Sequence, residues 1–239
     1  MQAVLFVSHG SRLEIGIKEA VRFTERYRAT KDIIREVCFL ERAKPSIEEG
    51  IATCVARGAT KIAVIPILLL TAVHANEDIP LEVQAGKKKY PHITFTYGRP
   101  FGVHPKIVEA LYDRVVEQHI PIIDDAEVLL VGRGSSDPAV KRDLSKIAQR
   151  LEKNYRFKKV NISFLYGVKP RFDDVLIQLQ NGNNEQIFII PYLLFSGILM
   201  NDIESKLKQL SSDKFILCES LGTHDNLQEV LHERVEELL

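Results

Sequence analysis

Two histidines and a carboxylate occupy positions from which they could hold a divalent cation and take up protons. His9 lies in SHGSR directly after an apolar run, Glu41 lies in FLERAKP after a second, and His74 lies in TAVHANEDIP after a third. A neutral imidazole uses its free lone pair either to bind a metal or to accept a proton, and not for both at once. Two imidazoles with one carboxylate suit Fe2+, Co2+, Ni2+ or Zn2+ better than Mg2+ or Ca2+. The spacing is not a named metal motif. Taken singly, His9 reads as a turn residue, Glu41 as a solvated charge or helix cap, and His74 as a surface histidine.

An internal duplication changes that reading. AVLFVSHGSR from Ala3 matches EVLLVGRGSS from Glu127, and FLERAKPSIEEGI from Phe39 matches FLYGVKPRFDDVL from Phe164, at offsets of 124 and 125. PILLL from Pro66 matches PYLLF from Pro191 at offset 125, and FGVH ending at His104 matches LGTH ending at His224 at offset 120. The second copy carries Arg133 for His9, Tyr166 for Glu41 and Leu199 for His74, so all three donors vanish together. A copy built on the same plan has no reason to lose them as a set if they serve only the fold. His104 and His224 occupy equivalent places and read as structural, and His92, His119 and His232 read as surface residues.

These residues must be positioned by strands and helices that alternate. Apolar runs of strand length at residues 4–7, 62–70, 128–131 and 187–194 are separated by charged stretches with helical spacing. Residues 15–28 and 106–116 read as amphipathic helices, the second behind Pro105 at its N-terminus. The alternation predicts an α/β protein of two similar domains, each a small, mainly parallel sheet flanked by helices. The repeats meet in the polar break HIPIIDDAE, which puts the expected domains at residues 1–121 and 122–239. Parallel sheets bind ligands beyond the carboxyl ends of their strands, so the three loops should converge on one rim. The leucines at 68–70 and the LLF at 193–195 are expected to run into the sheets as core.

Composition narrows the function. The 239 residues, 45% hydrophobic and 27% charged, fit ordinary globular folding rather than disorder. Lys and Arg total 32 against 32 Asp and Glu, which gives no basic excess for nucleic acid or an anionic membrane. The most apolar stretch, residues 62–73, is far shorter than the ~20 residues of a membrane helix, and the N-terminus has no secretory pattern, so a cytoplasmic protein is expected. Cys38, Cys54 and Cys218 are widely spaced without a CxxC, which predicts packed thiols rather than disulfides or a thiolate zinc site. GRGSS at 132–136 offers N–H groups and hydroxyls to an anion with Arg133 as charge partner, but it has neither GxxxxGK[ST] nor GxGxxG, so no nucleotide is called for.

At VSHGSR, FLExxxP and PxLLLTAxHAxxDIP, and at GRGSSDP and PYLLFSGxLMNDI in the second half, the chain resembles the class II sirohydrochlorin chelatases in their long, duplicated form. The likeness covers nearly the full length. It implies two α/β domains facing across a cleft, and insertion of Fe2+, or of Co2+ or Ni2+, into sirohydrochlorin without nucleotide hydrolysis, with no cofactor beyond the substrate metal. By motif, His9 and His74 correspond to the catalytic and metal-binding histidines and Glu41 to the accompanying carboxylate. Lys44 matches a substrate-contacting position, and Leu69, Leu70, Thr71, Ala72 and Val73 match the loop bordering the macrocycle. Arg133 and Arg12, with Lys44, are candidates for pairing with the carboxylates of the ring. A chain carrying both lobes is expected to act as a monomer. The alternative is a carrier of metal or tetrapyrrole that uses the same residues without turnover. A phosphohistidine-type hydrolase is disfavoured because Ser8 stands where an arginine would precede His-Gly.

Overall fold

A computed structural model describes residues 1–28, 32–210, 212–222 and 224–239. The chain forms two compact units. The first comprises Met1–Gly102 with Gln228–Leu239, and the second comprises Val103–Leu227.

In the first unit, β1 (Gln2–Ser8), β2 (Ile34–Phe39), β3 (Lys61–Ile67) and β4 (Thr94–Tyr97) form a wholly parallel sheet in the order β2-β1-β3-β4. Central strand β1 is buried from Ala3 to Ser8 on both faces, as a parallel strand covered by helices must be. One face packs Leu5, Val7, Cys38 and Val64 against Ile47, Ile51 and Cys54 of α2 (Ile47–Ala56). That helix begins in a capping box, with Ser46 accepting from the Glu49 N–H and Glu49 accepting from the Ser46 N–H. Helix α1 (Glu14–Glu25) buries Ala20 and Phe23, and α3 (Ile79–Lys89) buries Ile79 and Val83.

The second unit repeats the plan. Strands β5 (Glu127–Gly132), β6 (Lys159–Phe164), β7 (Ile187–Tyr192) and β8 (Phe215–Leu217) are parallel in the order β6-β5-β7-β8. Helix α5 (Pro138–Tyr155) is started by Asp137, which accepts from the Ala139 N–H, with Pro138 at the first helical position. Helices α6 (Phe172–Asn181) and α7 (Ile198–Leu210) bury Phe172, Leu176 and Ile203 against Leu129, Val131 and Ile189.

The compact units and the sequence repeats divide the chain differently. Helix α4 (Pro105–Val116) belongs to the first repeat but packs on α5 and β7, with Tyr112 stacked on Tyr155 at 3.9 Å. Helix α8 (Asp225–Glu236) ends the second repeat, and its residues from Gln228 onward complete the first unit. There Gln228 donates to Phe23 O, and Arg234 donates to Pro100 O and Phe101 O. Each sheet is thus completed by the last helix of the other repeat.

Strands β3 and β7 end at Ile67 and Tyr192, so 68–70 and 193–195 are not strand core as expected but half-buried loop. The reason is a change of partner: the carbonyls of Leu68 and Leu69 accept from Phe101 and Gly102, and that of Leu193 accepts from Leu221. His104 and His224 are structural, each accepting through Nδ1 from the N–H two residues on. His92 and His119 are exposed, whereas His232 is half-buried with its ring 5.6 Å from that of Tyr27. All three cysteines are buried free thiols, and burial pushes each pKa upward. No helix among the described residues is long and apolar enough to cross a membrane.

Candidate metal centre

Strand order places the candidate residues. The chain leaves β1 for β2 on one side and reaches β3 on the other, so the carboxyl ends of β1 and β3 flank a topological switch point, where open parallel sheets bind ligands. His9 follows β1, Glu41 lies two residues beyond β2, and His74 lies beyond β3.

Gly10 makes the first loop possible. It adopts φ +96°, and its α-carbon lies so close to the Glu41 carbonyl that a Cβ would be driven into that oxygen. Parallel pairing continues past the strands, with Leu40 N–H donating to Ser8 O at 2.9 Å and Glu41 N–H donating to His9 O at 3.1 Å. The second unit reproduces this frame: Gly134 has φ +95° beneath the Tyr166 carbonyl, and Tyr166 N–H donates to Arg133 O at 2.9 Å. Arg133 is therefore the structural counterpart of His9, and Tyr166 that of Glu41, on the same scaffold with different chemistry.

His74 opens a π-helical turn, His74–Asp78, that runs into α3. Such turns are uncommon and concentrate at functional sites. Here the turn places Asp78 Oδ2 2.6 Å from His74 Nδ1. A carboxylate at that distance holds the proton on Nδ1 and leaves the Nε2 lone pair free, as the outer partner of a ligating histidine does. The Nδ1 of His9 faces Gly10 O at 3.3 Å, which favours the same tautomer. The two Nε2 atoms then face each other at 3.2 Å, with ring planes inclined at 81°. Two lone pairs at that separation require a proton or a cation between them. Two nitrogens bound to one first-row ion at 2.0–2.1 Å lie roughly 2.9–3.4 Å apart, so the pair already has the spacing of adjacent ligands.

Glu41 Oε1 is 3.6 Å from His9 Nε2 and accepts from Arg42 Nε at 2.8 Å. The Arg42 hydrogen bond holds the Glu41 carboxyl below the usual carboxylate range against a partial desolvation that opposes it. Arg42 takes φ +61°, where its counterpart Gly167 takes φ +74°. A non-glycine residue in that region costs about 1–2 kcal/mol, a strain the second unit avoids. Among the described residues no three His, Cys, Asp or Glu side chains are already arranged to hold an ion. The Nε2 atoms of His9 and His74 face each other, while the Glu41 carboxylate is drawn toward Arg42.

The other candidates divide. Leu69, Leu70, Thr71 and Ala72 are half-buried and Val73 is exposed in the segment leading to His74. Arg12 is exposed in the bend before α1, and Arg133 is exposed at the rim of the second unit. Lys44 is exposed and paired with Glu49 at 2.8 Å, directed to the start of α2 rather than to the histidines. A cavity of about 670 Å³ is lined by Arg22, Glu25, Arg26, Arg28 and Gln228 and by none of the candidate residues. Sequence reasoning missed Asp78 and Arg42. The signal for Asp78 was its i, i+4 spacing from His74, and that for Arg42 was its alignment with a glycine in the second repeat.

Comparison with known proteins identifies the family. The sequence profile of the CbiX family matches residues 3–118 and again 127–238. A sirohydrochlorin ferrochelatase of Priestia megaterium is 49% identical over 100% of this chain and 91% of its own length. A sirohydrochlorin cobaltochelatase of the same organism is 38% identical over 99% of this chain and 80% of its own. The solved structure of SirB from Bacillus subtilis with Fe3+ superposes with a TM-score of 0.91 at 40% identity, covering 99% of this chain and 94% of that one. With both repeats matched, and with full-length relatives at this identity, the chain belongs to the CbiX family.

Proposed function

We propose that this chain is a sirohydrochlorin ferrochelatase, which inserts Fe2+ into sirohydrochlorin to form sirohaem and can also accept Co2+ or Ni2+. The observation that carries the reading is the pair of Nε2 atoms 3.2 Å apart, each imidazole anchored through its other nitrogen. The higher identity to the ferrochelatase than to the cobaltochelatase of one organism, 49% against 38%, favours iron.

Insertion releases two pyrrole N–H protons from the ring and exchanges the water ligands of the cation for four ring nitrogens, with no change of oxidation state. His9 and His74 first hold the cation with Glu41. As each metal bond passes to the ring, the freed imidazole lone pair accepts a pyrrole proton, and Glu41 neutralises the resulting imidazolium. Asp78 keeps the Nε2 of His74 directed at the reacting atoms. The segment 69–73 borders the macrocycle, while Arg133, Arg12 and Lys44, the last after leaving Glu49, pair with ring carboxylates. The protein acts as a cytoplasmic monomer with no cofactor beyond the substrate metal.

The test is an anaerobic absorbance assay with sirohydrochlorin and Fe2+, Co2+ or Ni2+ in turn. Many equivalents of metallated product per chain are expected. Product that stops near one equivalent identifies a carrier, and no product with any of the three ions refutes the proposal.

A further inference from the structure

Arg234, on the helix that ends the second repeat, is only 3% exposed. Its Nε donates to Pro100 O at 3.2 Å and its Nη2 to Phe101 O at 2.8 Å, while Nη1 pairs with Glu237 at 2.8 Å. Both carbonyls belong to peptide groups whose N–H ends are also engaged. The Phe101 N–H, in one plane with the Pro100 carbonyl, donates to Leu68 O at 3.0 Å, and the Gly102 N–H, in one plane with the Phe101 carbonyl, donates to Leu69 O at 2.8 Å. Two parallel chains of hydrogen bonds therefore run from the guanidinium through a peptide to a leucine carbonyl. A charged donor at the head of such a chain strengthens the bonds behind it. Leu68 and Leu69 begin the segment that ends at His74.

We infer that Arg234 is a positioning residue for the metal centre: through the peptides of 100–102 it fixes the segment from Leu68 to His74, and so fixes where the His74 imidazole stands. The second repeat thereby supplies a structural part of the site carried by the first. The inference rests on the reading that His9 and His74 hold the substrate metal.

The fold contains its own control. Arg114 is the counterpart of Arg234 at offset 120, is 7% exposed on α4 and holds Glu117 at 2.6 Å as Arg234 holds Glu237. It lies in the unit that carries Arg133 and Tyr166 where the first carries His9 and Glu41. Full-length Arg234→Met, Arg234→Lys and Arg114→Met proteins are compared by imidazole NMR of the metal-free protein, by Co2+ titration and by thermal melting. Both Arg234 variants should move the ring signals of His9 and His74, and Arg234→Met should weaken Co2+ binding about tenfold, in the range for loss of an outer-shell support. Arg114→Met should lower the melting temperature comparably with those signals unmoved. Arg234→Lys keeps the charge but cannot span two carbonyls, and it decides the matter if the methionine variant does not fold. Unmoved ring signals in a folded Arg234 variant, or equal movement in Arg114→Met, overturns the inference. Absence of sirohydrochlorin turnover in the unaltered protein would sink the proposed function while leaving the NMR comparison to decide the role of Arg234.

Discussion

Replacing Gly10 and Gly134 by alanine, one at a time, separates the scaffold from the chemistry it carries. The two glycines have φ of +96° and +95°, and an added Cβ would overlap the backbone carbonyl oxygen of Glu41 or of Tyr166 outright, so the facing backbone must move. The positive φ adds about 1–2 kcal/mol for a residue with a Cβ, and displacing a backbone carbonyl costs at least the upper end of the about 1–3 kcal/mol of ordinary overpacking. Each variant should therefore lose at least about 4 kcal/mol, or roughly 8 °C or more of melting temperature for a chain of this size. The functional outcome should differ. In Gly10→Ala the carbonyl that must move belongs to Glu41, whose N–H is tied to His9 O, so the carboxylate and the imidazole are displaced together. Co2+ titration should show weakened binding in Gly10→Ala and unchanged affinity in Gly134→Ala at a matched loss of melting temperature. Equal loss of affinity in both, or full affinity in a destabilised Gly10→Ala, would refute the assignment of the site to the first unit.

Other perturbations follow from the same geometry. His9→Ala and His74→Ala should each abolish spectroscopically observed insertion while leaving the far-UV circular dichroism unchanged, and near-normal turnover in both defeats the roles given to them. Asp78→Ala removes the acceptor at His74 Nδ1 and should cost ten- to a hundredfold in metal affinity by titration, with little change in melting temperature because Asp78 is part-exposed at the surface. Glu49 is held at about 2 by hydrogen bonds from Lys44 and from the Ser46 backbone. Its stabilising effect on the start of α2 is complete above about pH 4.5 and is lost as pH falls toward 2. Glu49→Gln should accordingly lower the melting temperature at pH 7, with the difference shrinking below pH 4.5; a difference that grows on acidification contradicts this.

What could be read from the sequence depended on how local each feature was. His9, Glu41 and His74 stood out because the duplication supplied an internal comparison, and the hydrogen-bond frame shared by Gly10 and Gly134 shows that the comparison was made at equivalent backbone positions. Helices over 15–28 and 106–116 were visible because their apolar stripes are local, and they emerge as Glu14–Glu25 and Pro105–Val116. The exchange of α4 and α8 was not visible, since an amphipathic stripe states which face is buried and not against which sheet. Residues 68–70 looked like strand because they are apolar. Their carbonyls accept from Phe101 and Gly102, a non-local choice that hydrophobicity does not encode. Asp78 was not singled out in the run after His74, because only the π-helical turn brings its carboxylate to Nδ1.

The most direct measurement is anomalous diffraction at the cobalt edge from crystals soaked with Co2+. A single strong peak about 2.1 Å from Nε2 of both His9 and His74 is expected, with nothing bound at Arg133 and Tyr166 in the second unit. A peak located elsewhere, or bound to one histidine with the other ring turned away, would contradict the account.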